Sequence, residues 1–405
     1  MKILIVIPYF GSVYGGTYQV VRNLATKLSD SGLEVHIITT NANGSEKLDK
    51  PLNTWITENN YKIQYFHCWH HNDFIISFSL VKWLFQNVAN YNLVHTNTVF
   101  APLVLVTHWV CKFFQIPYIV TPHGMLEPWA LSYKAWKKRI YYALFEKPAL
   151  QQASAIQVLA GTEANNLNSL GLKRPLVVVP NGIHDQEFET LPDPDIFYQQ
   201  FPATRNKTLI LFLGRIDPKK GLDLLAPAFA KVHQQFPETH LVVAGPDSIG
   251  FLPKAQGYFA QEKCLEAVTF TGMLSGSLKH AALAAASLYV APSYSEGFSM
   301  SVLEGMASGL PCVITIACNF PEAAAAKAAH VVNIDANDIA NALMYCLSNP
   351  QEAKAMGDRA REFIFQNYTW DRAAQKLIQV YQAVINGKSL PEYASTLESK
   401  EVSPC

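Results

Sequence analysis

The sequence predicts an α/β protein built from two doubly wound domains that face each other across a cleft. Three observations predict it. The chain opens on a strand–loop–helix–strand unit, the same grammar restarts at residue 209, and a proline- and acid-rich stretch separates the two.

In the first half, residues 3–7 form a short apolar strand, followed by a loop holding Gly11, Gly15 and Gly16. Val20, Val21, Leu24, Ala25 and Leu28 then share one face of a helix, and Gly32 stops it before a strand at 35–39. A β-α-β unit of this kind implies a parallel sheet. Further strands are expected at 61–66, 93–95, 118–121, 155–158 and 176–179, each ending near a polar or loop-forming residue. Residues 190–195, Thr-Leu-Pro-Asp-Pro-Asp, read as a linker. In the second half the pattern is a strand at 209–213, a loop at 214–221, a helix at 222–236 and a strand at 241–244. A short apolar strand within 286–293 stops at Pro292, and Gly309 ends a helix just before another strand. Helices run from about 351 to 385, and the polar tail after Gly387 is expected to fray.

Composition narrows the function. An apolar fraction of 49% over 405 residues supports sizeable cores in two or three domains. A formal net charge of zero implies no nucleic-acid partner. Seven scattered cysteines with no C-x-x-C spacing read as buried, reduced thiols of a cytosolic protein, and no zinc site is expected. The apolar start is too short for a signal peptide. The longest apolar stretch, 99–111, contains Pro102 and His108 and is too short to span a bilayer, so any membrane role is expected to be peripheral.

The most informative chemistry is a pair of acids, Glu296 and Glu304, eight positions apart. The first falls in a glycine-containing turn at the carboxyl end of a strand, where open α/β sheets bind ligands. The second lies in the first turns of a helix whose amino end offers backbone N–H groups to an anion. An anion flanked by hydroxyl acceptors describes a sugar nucleotide, although two solvated surface acids would give the same spacing. Arg215 and Lys220 flank the corresponding loop of the second half, where two cations would neutralise a diphosphate leaving group; the bland alternative is a solvated basic turn. Gly15-Gly16 lets a backbone approach a phosphate but lacks the G-x-G-x-x-G spacing of nicotinamide sites. His123, after the 118–121 strand, either reaches into the cleft or is a loop histidine satisfied by backbone. Residues 129–147 combine aromatic and basic side chains. As a helix, Trp129, Tyr133, Trp136, Ile140 and Leu144 would form one stripe beside Lys134, Lys137, Lys138 and Tyr141, which suits an anionic membrane surface or a core-packed helix with a basic edge.

Taken in order, Gly15-Gly16, His123-Gly124, Pro180-Asn181-Gly182-Ile183, Gly214-Arg215, Lys220-Gly221 and the Glu296/Glu304 segment resemble the retaining, GT-B-fold glycosyltransferases of family 4, which use sugar nucleotides. The resemblance spans most of the chain. It implies two Rossmann-like domains, 1–186 for the acceptor and 187–370 for the nucleotide sugar, with a helix at about 371–386 packing back on the first and a polar tail at 387–405. It also implies roles. Gly15 and Gly16 would meet the donor phosphate, Arg215 and Lys220 would hold the diphosphate, and Glu296 would contact the donor sugar. The N–H groups of Gly297, Phe298 and Ser299 would lie against the phosphates, and Glu304 would bind the ribose. His123 would sit near the reaction centre, while Asn181 and Gly214 would line the donor site. Retention by front-face attack, with cationic side chains in place of a metal and no cofactor, is the implied mechanism. Many relatives have glycine and then aliphatic residues where this chain has Ser299-Met300-Ser301, which leaves the sugar open. The run 123–129, His-Gly-Met-Leu-Glu-Pro-Trp, is similar to relatives that build bacterial surface polysaccharides. The expected activity is hexose transfer to a glycan or lipid-linked glycan in exopolysaccharide or O-antigen synthesis, in the cytoplasm at the inner membrane. A nucleotide-sugar epimerase and a non-catalytic nucleotide-sugar-binding scaffold are the rival readings; the Arg215/Lys220 and Glu296/Glu304 set argues against the first.

Overall fold

The computed structural model describes residues 1–71, 74–128, 131 and 135–391. The chain divides into two compact units, residues 1–181 with the segment from 370 onward, and residues 182–369.

The first unit holds β1 (Lys2–Tyr9), β2 (Glu34–Thr40), the small hairpin β3 (Ala42–Asn43) and β4 (Glu46–Lys47), β5 (Trp55–Glu58), β6 (Tyr61–Phe66), the hairpin β7 (Trp69–His71) and β8 (Phe74–Ile76), β9 (Leu93–Asn97), β10 (Tyr118–Thr121), β11 (Ala155–Val158) and β12 (Leu176–Val178). Eight of these form one sheet in the order β12-β11-β10-β9-β1-β2-β6-β5. Every neighbour in it is parallel except the edge pair β5–β6. The helices α1 (Gly16–Asp30), α2 (Phe78–Asn87) and α3 (Pro102–Phe113) pack on the sheet because their apolar positions recur at helical spacing. The 99–111 stretch is thus a loop running into α3. Among the described residues no helix is long and apolar enough to cross a membrane.

The chain leaves the first unit at Asn181, nine residues before the proline-rich stretch, which lies inside the second unit. That stretch ends in the short helix Asp195–Gln200, so it is a structured turn rather than a linker. The terminal helix Trp370–Ile385 returns to the first unit and packs against α1, with Lys27 Nζ 2.9 Å from Asp371 Oδ2. Tyr381 on it is fully buried and lies 2.6 Å from His95 Nδ1. His95 Nε2 lies 2.7 Å from Thr121 Oγ1, which donates to Gln157 Oε1 at 3.1 Å. The chain has one consistent direction. Tyr381 donates to Nδ1, Nε2–H donates to Thr121, and Thr121 donates onward, so His95 is neutral.

The second unit holds β13 (Thr208–Leu213), β14 (Thr239–Ala244), β15 (Val268–Gly272), β16 (Leu288–Ala291), β17 (Cys312–Thr315) and β18 (His330–Val332), all parallel, in the order β15-β14-β13-β16-β17-β18. The parallel strands reverse order between β1 and β9 in the first unit and between β13 and β16 in the second. The carboxyl ends of those strand pairs are where such sheets bind ligands.

Burial in the first unit also sets a pH dependence. It pushes His36 and His123 down to about 4, and His95 and His108 down to about 3. The unfolded chain takes these protons near the ordinary 6.5, so stability is lost as pH falls below that value. Burial raises Glu146 and Glu163 to about 7 from 4.5, which acts in the opposite sense: their cost, full above 7, is relieved on acidification. Four histidines with shifts at least as large outweigh two glutamates between pH 6.5 and 4. Melting followed from pH 7 to 5 should show a falling Tm with proton uptake on unfolding; a flat or rising Tm would count against it.

Candidate active site

In the second unit, β13 and β16 end side by side, and their loops carry the acids and cations singled out in the sequence. After β13, Asp217 caps a single turn, Pro218–Lys220, by accepting from Lys219 N at 2.9 Å. Gly221 closes the turn in the left-handed region, at φ 71°. Its missing Cβ matters, because one built there would lie 2.0 Å from the carbonyl oxygen of Pro292. A Cβ on Gly214 would press on Phe212 Cζ at 3.2 Å and only touch the stem of Lys220, at 3.5 Å from its Cδ. The two loops are stitched together. Tyr294 N donates to Lys219 O at 2.8 Å, and Tyr294 Oη donates to Asp223 Oδ2 at 2.8 Å.

Glu296 sits in the β16 loop, nearly buried, with its N–H bonded to Ala317 O at 2.9 Å. Asn319 Nδ2 donates to its carbonyl, and Thr315 Oγ1 donates to Ser293 O at 2.6 Å. The loop is therefore fixed from the β17 side as well. Its carboxylate accepts from Lys220 Nζ at 2.6 Å and from Ser293 Oγ at 2.7 Å, both on Oε1. That leaves Oε2 to accept from a ligand. Burial alone would raise this carboxyl; Lys220 and Lys219, with the hydrogen bonds from Lys220 and Ser293, outweigh it and hold the group below its usual range. Lys219 is lowered by burial and by the like charges of Lys220 and Arg215, partly offset by Glu296. The exposed Arg215 thus contributes to the same positive field as the two lysines.

The helix Met300–Ala307 follows. The side chain of its cap residue, Ser299, accepts from no backbone N–H of the first turn and pairs instead with Ser301 Oγ at 3.2 Å. The amino end therefore has no side-chain cap, the condition in which first-turn N–H groups hold an anion. Phe298 contributes backbone only. Its ring packs into an aromatic cluster, 5.1 Å from Phe320 and 5.7 Å from Tyr368. Glu304, one turn further, accepts from Lys279 Nζ at 2.8 Å on Oε1. Lys279 lies on the helix Gly276–Ala285 and was not singled out in the sequence, because nothing there ties it to an acid 25 residues later. Each glutamate thus has one oxygen held by a lysine.

The remaining expected residues lie in the first unit. Gly15, at φ 61°, caps α1 without a side-chain bond, and Gly16 opens the helix with nothing within 4 Å of a built Cβ. The approach to this helix terminus is open to a phosphate. His123, at φ 53°, follows β10, and its Nε2 lies 2.8 Å from Asn97 Oδ1 at the end of β9. The neutral ring donates there from Nε2, which leaves Nδ1 as an acceptor. Thr98 at φ 76° and Phe100 at φ 60° share this positive-φ region, and Glu146 Oε1 anchors it by accepting from Phe100 N at 2.7 Å. Such non-glycine conformations cost about 1–3 kcal/mol each and gather at functional sites. Asn97 was missed in the sequence, since a strand-end asparagine has no distinguishing spacing. Asn181 is buried at the last residue of the unit.

Two family models match the chain: glycosyl transferases group 1 over residues 195–363, and glycosyltransferase family 4 over residues 14–187. The chain belongs to glycosyltransferase family 4. An Anabaena protein, HepE, solved with UDP and glucose, matches this glycosyltransferase with a TM-score of 0.76 at 18% identity, over 95% of this chain and 100% of that one, and the fold is GT-B. Among curated relatives, the α-maltose-1-phosphate synthase of Mycolicibacterium smegmatis is 25% identical, covering 74% of this chain and 81% of the relative. The phosphatidyl-myo-inositol mannosyltransferase of the same organism is 23% identical over 95% of the glycosyltransferase and 94% of its own length.

Proposed function

We propose that this glycosyltransferase moves a hexose from a nucleotide-diphosphate sugar to a glycan or lipid-linked glycan during bacterial surface-polysaccharide assembly, with retention and without a metal or cofactor. The observation that carries it is the Lys220–Glu296 pair at the reversal of the second sheet, beside Lys219, Arg215 and a helix end without a side-chain cap. The cations and the 297–299 N–H groups take the diphosphate and stabilise its charge as the glycosidic bond breaks. Oε2 of Glu296 orients the sugar, Oε2 of Glu304 accepts from the ribose, and Gly214 and Asn181 line the donor. Gly15 and Gly16 offer backbone to the phosphate, and Nδ1 of His123 accepts from the sugar. The UDP and glucose held by HepE support the donor class. The lipid substrate in the name of the mannosyltransferase supports a lipid-linked acceptor.

A panel of UDP-, GDP- and ADP-sugars scored by thermal shift tests the reading, since a donor at a hundred times its Kd stabilises by about 2.7 kcal/mol. The stabilising donor is then incubated with lipid-linked acceptor, with and without chelator. The reading expects a retained glycosidic linkage unaffected by chelation. An isomerised donor, or turnover lost with chelator, would overturn it. Glu304→Ala should raise the donor KM about ten- to a hundredfold with kcat little changed, because a charged hydrogen bond of about 1.5–3 kcal/mol is lost from ground and transition states alike. A fall in kcat at unchanged KM would remove the ribose role.

The same reading places the enzyme in the cytoplasm at the inner membrane, touching it through 129–147. Trp129, Tyr133 and Lys134 lie outside the described residues. Trp136, Ile140 and Leu144 are exposed at helical spacing across the helix Ala135–Tyr141 and the π-turn Tyr142–Glu146, which supports the contact. Charge reversal at Lys134, Lys137 and Lys138 should weaken binding to anionic liposomes; unchanged co-sedimentation would sink this contact.

A further inference from the structure

The first unit is lopsided in a way the donor chemistry does not require. Its sheet has α1 and the terminal helix on one face, and α2, α3 and the helices between residues 135 and 169 on the other, as right-handed crossovers in opposite directions demand. Met1 and Val13 apart, the large apolar side chains exposed among its described residues sit on the second layer or on β7 and β8, and none is on α1 or the terminal helix.

On α2 the outer stripe reads Phe78, Lys82, Phe85, and on α3 it reads Val106, Trp109, Phe113. Phe78 is 82% exposed, Phe113 73% and Trp109 55%. The rings of Phe85 and Phe113 lie 6.4 Å apart edge to face, joining the two helices into one surface. β8 packs against α3 and extends that surface with Phe74, while its partner β7 presents Trp69 at 79% exposure. A monomer facing only water has no use for an apolar patch of this extent. Neither α2 nor α3 contains an acid, and their exposed charges are Lys82 and Lys112; the one acid between β7 and β8, Asp73, lies outside the described residues. Charge decides the occupant. A second copy docked by two-fold symmetry would set these lysines against their own equivalents with no carboxylate on either helix to offset them. An anionic bilayer supplies the missing countercharge and a boundary zone that accepts aromatic rings.

We propose that the outer face of α2, α3 and strands β7 and β8 is a docking surface for an anionic lipid bilayer. Its aromatic side chains enter the headgroup boundary, and Lys82 and Lys112 meet lipid phosphates. The surface uses no residue of 129–147 and none of the donor site, so it stands or falls separately from both.

The test uses the full chain and sedimentation with vesicles of phosphatidylcholine alone or mixed with phosphatidylglycerol. The unsubstituted protein should bind the mixed vesicles, and salt should weaken binding. Phe85→Ser with Phe113→Ser, and separately Lys82→Glu with Lys112→Glu, should each lower bound protein at least about tenfold. The donor-induced Tm shift, read in parallel, should stay unchanged and report that both variants are folded. Normal vesicle binding by both variants, with loss only when Trp136 and Leu144 are replaced, would overturn the proposal while leaving the 129–147 contact standing. Absence of vesicle binding, with a dimer that Phe113→Ser converts to monomer, would overturn it in favour of self-association.

Discussion

Lys220→Ala is expected to lower kcat by about 10²–10³-fold, the loss seen when one preorganised donor to developing charge is removed. Its ammonium is the group bonded to Glu296, and its side chain is only 14% exposed, against 10% for its partner, so the substitution also leaves a nearly buried carboxylate unpaired. Breaking such a pair from one side costs about 3–5 kcal/mol, and the low end applies here because Lys219 and Ser293 remain beside Glu296. Activity and stability can be separated. Lys220→Met combined with Glu296→Leu removes both charges, so stability should return close to the starting value while transfer stays lost. Glu296→Ala alone should lose most transfer with the fold kept. Denaturant melts alongside single-turnover transfer measure both quantities. Near-normal transfer in the double variant would show that the pair is structural only.

Gly221→Ala is expected to be nearly as damaging, by a different route. The left-handed φ of 71° disfavours any Cβ by about 1–2 kcal/mol, and this one would also collide with the backbone of Pro292 at 2.0 Å. No rotamer change relieves a contact with backbone, so the turn must move away from the β16 loop and carry Lys219 and Lys220 off Glu296. A misplacement of about 1 Å costs roughly a hundredfold, so kcat/KM should fall at least that far. Gly250→Ala is the control. It shares the geometry, at φ 72°, with nothing within 4 Å, so it should lose some stability and keep its activity. Equal losses in the two variants would mean that the backbone conformation, not the position of the lysine turn, is what matters.

Much of this was legible in the chain, for reasons that particular residues show. Strands at 61–66, 118–121 and 155–158 match the structure residue for residue: 118–121 and 155–158 are buried throughout, as interior strands of a parallel sheet are, while 61–66 opens on an apolar–polar alternation with Lys62 exposed. That Lys220 and Glu296 share one end of the second sheet followed from their strand-end positions, since parallel sheets gather their carboxyl-end loops; the bond between them was not foreseen. Lys279 and Asn97 were not legible, because each meets its partner only through the sheet order, 25 and 26 residues away in sequence. The proline-rich stretch misled because Pro and Asp favour linkers and helix starts alike, and here Asp195 begins a helix.

The return of the last helix has a consequence for synthesis. Residues 182–369 are one continuous stretch whose two ends meet, with Ile183 N bonded to Tyr368 O at 2.8 Å. As the polypeptide leaves the ribosome, this inner stretch has every part it needs before the outer one does. The unit that starts first finishes last. It waits for Tyr381 to fill the slot against His95, and until then β9 and β10 have an open seat beneath the strand ends that carry Asn97 and His123. A stop codon shortly before residue 370 would thus release a protein whose 182–369 unit is whole and whose other unit is left unsealed.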